Sequence, residues 1–143
     1  MPILVEYSNL FMDAVASVSE KNQFELMAYV ILPDHFHALI DPQKCNLSNL
    51  MKRIKMSFAA KYRIKTNSKG RIWQYRFWDH IIRNQKDLNH HLDYIHYNPV
   101  KHGITSNPFD YDNSSLHKYY KDGYYTKDWG IGKEFNFGKE YGE

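Results

Sequence analysis

Cysteine, long apolar runs and a targeting segment are scarce or absent in this sequence of 143 residues. The single cysteine, Cys45, excludes an internal disulfide and a zinc site built from several cysteines. No stretch approaches the roughly 18 consecutive apolar residues of a membrane span, so no membrane association is expected. The N-terminus has no basic start followed by an apolar core, which is unlike a signal peptide. Together these absences predict a cytoplasmic protein.

The composition is that of one folded domain. Hydrophobic residues make up 43% of the chain and charged residues 24%, so the chain can bury a core and is not disordered. Aromatic residues are abundant at 16%, and there are 8 histidines. The length matches a single domain, which we place at residues 1–106, with residues 107–143 as a C-terminal tail that packs on or near it.

Charge is unevenly distributed along the chain. The net charge of +3 hides a basic middle, because residues 1–43 carry −5, residues 44–86 carry +11 and residues 87–143 carry −3. Tyrosine, tryptophan and phenylalanine are interleaved with the basic residues. A solvated, lysine-rich helix face is the simplest explanation of a charge run, but this combination favours binding to nucleic acid.

Hydrophobic periodicity predicts the main elements. Three helices are expected, over residues 6–20, 47–64 and 85–97. Three strands are expected, over residues 24–32, 35–40 and 77–83, the first two as a hairpin. Asn46 is a plausible cap of the second helix, and Asn98-Pro99 would stop the third.

Two histidines, His35 and His37, flank Phe36 in the second predicted strand. Residues i and i+2 of a strand point to the same face, so the two imidazoles would lie side by side. Two neutral imidazoles can occupy adjacent positions on a divalent metal ion. Two ordinary strand histidines are the alternative, and an isolated pair favours that alternative.

Tyr94 and Asn98 are four residues apart in the third predicted helix, so they share one face. Leu88, Leu92 and Ile95 form the apolar stripe of this helix. Helical rotation puts Tyr94 about 120° from that stripe, so Tyr94 need not be a core residue, although a tyrosine that fills a groove is the common case. Asn98 is a natural helix-ending residue before Pro99. Its amide oxygen is also a hard ligand suited to Mg²⁺ or Mn²⁺.

Three motifs occur in order along the chain: YVILPDHFH at residues 29–37, WQYRFWDH at 73–80 and YIHYNPVKHG at 94–103. The first resembles the histidine–hydrophobe–histidine strand of the single-tyrosine HUH transposases. The other two resemble the branch associated with repetitive extragenic palindromes (REP), which is IS200-like. Each motif alone is modest, but all three in this order are specific. The resemblance extends over residues 2–129.

The resemblance implies a fold, an activity and site residues. The implied fold is α/β (α+β), a ferredoxin-like sandwich whose antiparallel sheet carries the His-x-His strand and has helices on one face. The implied activity is cutting and rejoining of single-stranded DNA near hairpins through a 5′-phosphotyrosine. By position, Tyr94 is the nucleophile, and His35, His37 and Asn98 hold the divalent metal, Mg²⁺ or Mn²⁺. A homodimer in the bacterial cytoplasm, associated with the nucleoid, is also implied.

A proton acceptor for the Tyr94 phenol is not identified by the sequence. His91 lies one helical turn before Tyr94 and is a candidate by spacing only. Exposure to solvent is the favoured interpretation of both His90 and His91.

The basic middle of the chain supplies the predicted DNA contacts. Phosphate contacts are expected from Lys52, Lys55, Lys65, Lys69, Arg71 and Arg76. Trp73 follows a basic loop and is a better candidate than Trp78 for stacking on an unpaired base. Core packing is the favoured interpretation of Trp78.

The sequence departs from the family pattern at its start. The resemblance begins at Pro2, which matches the stretch after the family's first strand, so that strand is expected to be missing. Two other functions remain open: a catalytically defective DNA-binding relative of the same fold, and a small hydrolase in which His35 and His37 hold zinc.

Overall fold

The computed structural model describes residues 7–33, 35–67, 69–70 and 84–131. These residues form a mixed α/β fold with a two-stranded antiparallel sheet, which confirms the predicted class. The elements are α1 (Ser8–Ser19), β1 (Glu25–Ile31), β2 (Phe36–Asp41), α2 (Leu47–Thr66), α3 (Gln85–Lys101), a 3₁₀ helix (Pro108–Asp110) and α4 (Leu116–Lys121). The predicted strand over 77–83 and the stretch expected to follow a missing first strand lie outside the described residues.

Chain contacts divide the described residues into two compact units. The first unit holds residues 7–27, 31–33, 35, 40–67 and 69–70. The second unit holds residues 28–30, 36–39 and 84–131. In the described part of the chain, no helix has the length and apolar character needed to cross a membrane.

The first unit is built on the packing of α1 against α2. Phe11 and Phe58 are buried, and their ring centroids lie 6.2 Å apart. The apolar side chains that repeat at helical spacing along α2 are buried, with Leu50, Ile54 and Phe58 at the centre of this stripe. Burial of such side chains contributes about 1.5–3 kcal/mol each, so this helix pair forms a hydrophobic core.

The start of α2 is fixed by a side-chain cap. The Asn46 side chain accepts a hydrogen bond from the Asn49 backbone N–H at 3.1 Å, which confirms the predicted cap. Just before it, the half-buried Cys45 lies with its Sγ 3.3 Å from the Gln23 carbonyl oxygen.

Helix α3 runs through Pro99 to Lys101, so its predicted end at residue 97 is wrong. Proline lacks a backbone N–H and usually breaks a helix. Here the Pro99 ring is buried, and the His102 N–H still donates to the Asn98 carbonyl at 3.0 Å. The helix ends at Lys101, and Gly103 two residues later has a φ of 71°, in the left-handed region that commonly follows a helix end. Asn98 is therefore an interior residue of the helix.

The C-terminal segment (residues 107–131) packs within the second unit. Ser114 forms an isolated antiparallel bridge with Val30 of β1, and the Ser115 N–H donates to the Tyr29 carbonyl at 3.0 Å. Gly130 has a φ of 80°, and a Cβ there would lie 2.6 Å from Pro108 Cγ. Only glycine fits this close approach without displacing its neighbour.

Candidate active site

Helix α3 places Tyr94 and Asn98 one helical turn apart, as the sequence spacing predicts. Both side chains are buried, with Tyr94 2% exposed and Asn98 fully enclosed. Asn84 caps the start of the helix, because its side chain accepts a hydrogen bond from the Asp87 N–H at 2.9 Å. Because α3 is capped at its start and continues unbroken through its last turn, Tyr94 and Asn98 keep regular helical spacing.

His37 of β2 lies against the Tyr94 ring. The two rings meet edge to face, with centroids 5.4 Å apart and an interplanar angle of 87°. Three polar atoms of this site are buried: His37 Nε2, Tyr94 Oη and Asn98 Oδ1. The structure therefore brings a predicted metal ligand together with the predicted nucleophile.

His35 immediately precedes β2, which begins at Phe36 rather than at residue 35 as predicted. The His35 carbonyl accepts a hydrogen bond from the Leu32 N–H at 2.8 Å, which closes the turn between the two strands. Its side chain is half-buried, and the residue belongs to the first unit.

The donor set expected for a metal ion combines imidazole nitrogens with an amide oxygen. His37 Nε2 and Asn98 Oδ1 are buried in the second unit, and the amide oxygen is of the donor type that Mg²⁺ and Mn²⁺ prefer. Within the described ranges, no group of three or more histidine, cysteine, aspartate or glutamate residues could hold a metal.

Lys101 lies over the Tyr94 ring, a contact that the sequence reasoning missed. Its Nζ is 5.0 Å from the ring centroid, within the range of a cation–π interaction. Burial lowers the pKa of the Lys101 ammonium group. The spacing of seven residues along one helix was the available signal.

His91 is buried, so the exposure expected for it is wrong, whereas His90 is exposed. His91 Nδ1 lies 2.9 Å from the Asp87 carbonyl oxygen and 3.3 Å from Asp87 Oδ1. The carboxylate thus orients the imidazole from one helical turn away. The acid–histidine spacing of four residues was the signal for this pair.

His96 lies between Tyr94 and Asn98 in the sequence, and its side chain is fully buried. The sequence reasoning did not single it out as a candidate site residue. Its Nδ1 lies 2.7 Å from Tyr125 Oη, and its Nε2 lies 2.8 Å from Ser115 Oγ. Burial, with a smaller contribution from His117, lowers the pKa of His96 to about 3. The imidazole is therefore neutral near pH 7.

The predicted phosphate contacts differ in exposure. Lys52, Lys65 and Lys69 are exposed, whereas Lys55 is half-buried and burial lowers its pKa. Because burial disfavours the charged form of its ammonium group, Lys55 is expected to bind phosphate more weakly than the three exposed lysines. Three other predicted contacts lie outside the described residues: Arg71, Trp73 and Arg76.

Comparison with known proteins places the chain in a class of transposases. Residues 5–98 match the family model described as Transposase IS200 like, and the chain belongs to that family. It is 42% identical to a putative REP-associated tyrosine transposase of Haemophilus influenzae, over 89% of this chain and 78% of the relative. It is 36% identical to the REP-associated tyrosine transposase of Escherichia coli K12, over 89% of this chain and 75% of the relative.

A solved structure is also similar over nearly the whole chain. It is a REP-associated tyrosine transposase bound to a REP hairpin, and it superposes with a TM-score of 0.82 at 34% identity. The match covers 97% of this chain and 83% of that one. These findings confirm the predicted REP-associated branch.

Proposed function

We propose that this transposase is a single-strand DNA endonuclease and strand transferase that acts near hairpins, with Tyr94 as the nucleophile. The observation that carries the proposal is the contact of the His37 ring with the Tyr94 ring, with Asn98 one turn further along α3. A hydrolase that simply uses water would have no need of a tyrosine beside these groups. The hairpin is the ligand of the similar solved transposase.

The chemistry is a transesterification at phosphorus. The Tyr94 oxygen attacks a backbone phosphate, the bond from phosphorus to the 3′-oxygen breaks, and a 5′-phosphotyrosine forms. The phenol proton leaves to a base, and the departing 3′-oxygen takes up a proton to become a hydroxyl. Because the covalent link conserves the phosphoester, the reverse step joins strands.

His35, His37 and Asn98 would hold the divalent metal. When bound, Mg²⁺ or Mn²⁺ neutralises charge that develops on the phosphate oxygens. The residues of the chain do the rest: the His37 ring fixes the plane of the Tyr94 ring, and burial of Tyr94 keeps bulk water away from the nucleophile.

The exposed lysines of α2 and the loop after it would bind the DNA backbone. Lys52, Lys65 and Lys69 are exposed at the surface and suit contacts to phosphate. Such contacts set affinity and salt dependence rather than sequence choice. The homodimer implied by the family resemblance is tested by sedimentation of the full chain with and without a hairpin oligonucleotide.

Formation of a covalent adduct tests the proposal. The full chain is incubated with Mg²⁺ or Mn²⁺ and a single-stranded oligonucleotide that contains a REP-type hairpin and flanking bases. We expect a denaturation-resistant protein band shifted by the mass of the DNA fragment. Tyr94→Phe removes only the attacking oxygen and should abolish this band while hairpin binding persists.

Tyr120→Phe is the matched control, because it removes the same atom from an exposed ring of α4. It should leave the adduct at the wild-type level. An adduct that survives in Tyr94→Phe would contradict the assignment of the nucleophile. Hairpin binding without any adduct in the wild type would instead indicate a catalytically defective DNA-binding relative.

A further inference from the structure

A polar network around His96 joins α3, β1 and the C-terminal segment within the second unit. The His96 ring nitrogens contact Tyr125 Oη at 2.7 Å and Ser115 Oγ at 2.8 Å. Tyr125 Oη in turn lies 3.2 Å from Asp93 Oδ1. Ser115 Oγ accepts from the Tyr29 N–H at 2.9 Å. The network therefore runs from a carboxylate on α3, through one imidazole, to the backbone of a strand.

One arrangement of hydrogens satisfies every donor. A neutral imidazole offers one N–H and one acceptor nitrogen. The Tyr125 hydroxyl donates to the Asp93 carboxylate, so its oxygen accepts from His96 Nδ1–H. The Ser115 hydroxyl then donates to His96 Nε2 at 2.8 Å, in preference to the Tyr29 carbonyl at 3.2 Å. That carbonyl already accepts the Ser115 N–H at 3.0 Å.

The position of His96 on α3 gives this network a consequence for the site. Tyr94 and Asn98 share one side of the helix, and His96 is two residues from each, about 200° around the axis. Hydrogen bonds to the two nitrogens of its ring resist both rotation of the helix and sliding along its axis. Any rotation of α3 would move the Tyr94 hydroxyl.

We propose that His96, held between Ser115 and Tyr125, is a positioning residue that sets the rotation of α3 and so aims the Tyr94 hydroxyl at the scissile phosphate. This inference rests on the proposed function of Tyr94. Displacement of a reacting group by about 1 Å can reduce the rate about 100-fold. The C-terminal segment thereby takes part in the reaction without touching the DNA.

The test compares Tyr125→Phe and Ser115→Ala in the full chain, because each removes one hydroxyl from the network and keeps most of the packing. Single-turnover adduct formation is measured at saturating hairpin oligonucleotide, together with the hairpin Kd and the Tm. We expect the rate to fall about 10- to 100-fold with the Kd unchanged. The double variant should lose less than the product of the two single losses, because both act through His96.

Tyr124→Phe is the matched control. Its hydroxyl lies 3.2 Å from Asn89 Oδ1 on the exposed part of the same helix, so it removes an equivalent bond outside the network. The control should keep the wild-type rate. In the wild type, ¹⁵N chemical shifts of His96 should show the Nδ1–H tautomer.

Several results would overturn the inference. Wild-type rates in both network variants would do so, as would a rate loss matched by an equal loss of hairpin binding. Unfolding of both variants would also overturn it, because the network would then support the fold as a whole. If only one variant folds, the inference is overturned when that variant has the wild-type rate, or when its rate loss is matched by an equal loss of hairpin binding. A wild type that forms no adduct refutes the proposed function, whereas loss of the adduct in Tyr94→Phe together with wild-type rates in both network variants refutes this inference alone.

Discussion

Asp93 and Tyr94 are neighbours in sequence and occupy opposite environments on α3. The Tyr94 ring is enclosed, with His37 at its edge and the Lys101 ammonium over its face. Asp93 remains partly exposed, yet burial raises the pKa of its carboxyl group, and the hydrogen bond from Tyr125 and the charge of His90 only partly offset this effect. At the residue scale, folding therefore keeps the Asp93 carboxylate in its network at some cost in stability.

Replacement of Asp93 by asparagine should change how stability depends on pH. The pKa of Asp93 is higher in the folded than in the unfolded chain, so the protonated form favours folding. That contribution is present at low pH and is lost as the pH rises through the folded pKa. The Asp93→Asn variant does not titrate here, and its amide oxygen can still accept from Tyr125.

We therefore expect the free energy of unfolding of Asp93→Asn to rise relative to wild type as the pH increases from about 3 to about 7. The change begins near the ordinary aspartate pKa of about 3.9, where Asp93 of the unfolded wild type ionises. Denaturant unfolding at a series of pH values measures the difference. A difference that stays constant over this range, or that runs in the opposite direction, would contradict the prediction.

At the scale of elements, α2 combines a buried face and an exposed face, and the two faces should respond differently to truncation. Phe58 is fully buried and its ring lies near Phe11 of α1, so Phe58→Ala should cost about 3–5 kcal/mol of unfolding free energy. Ile64 is 86% exposed on the same helix, so Ile64→Ala should change stability by less than about 0.5 kcal/mol. Urea denaturation measures both, and comparable losses would refute the assigned faces.

The elements that repeat a hydrophobic period could be predicted from the sequence. The stripes of α1 and α2 have helical spacing, and the Asn46 cap stands directly before the second stripe. The end of α3 could not be predicted, because the local preference of Pro99 for a helix break is overridden by burial of its ring in the tertiary structure.

The candidate site was predictable only in part. The spacing of Tyr94 and Asn98 predicts a shared helix face, whereas their roles come from the family resemblance, with which the His37 contact agrees. The role of His96 could not be read locally, because Ser115 and Tyr125 lie 19 and 29 residues further along a stretch without periodicity. Such pairings depend on long-range folding rather than on any local pattern.

At the scale of the whole molecule, the basic middle of the chain predicts salt-dependent binding. Lys52→Gln and Lys65→Gln should each reduce the slope of log Kd against log salt concentration by about 0.7–0.9, because each phosphate contact releases counterions. Fluorescence anisotropy with a hairpin oligonucleotide at several NaCl concentrations measures the slope. Lys118→Gln is the control, since Lys118 is exposed on α4 outside the basic middle. An equal change in that variant would assign the effect to net charge alone.

The lone thiol has a practical consequence. Cys45 is the sole cysteine of the sequence and lies two residues before α2, the helix that carries Lys52 and Lys65. A maleimide fluorophore would therefore attach at one defined position per chain without any engineering. Its emission would report on DNA arrival at that helix in real time, and energy transfer between differently dyed copies would reveal self-association.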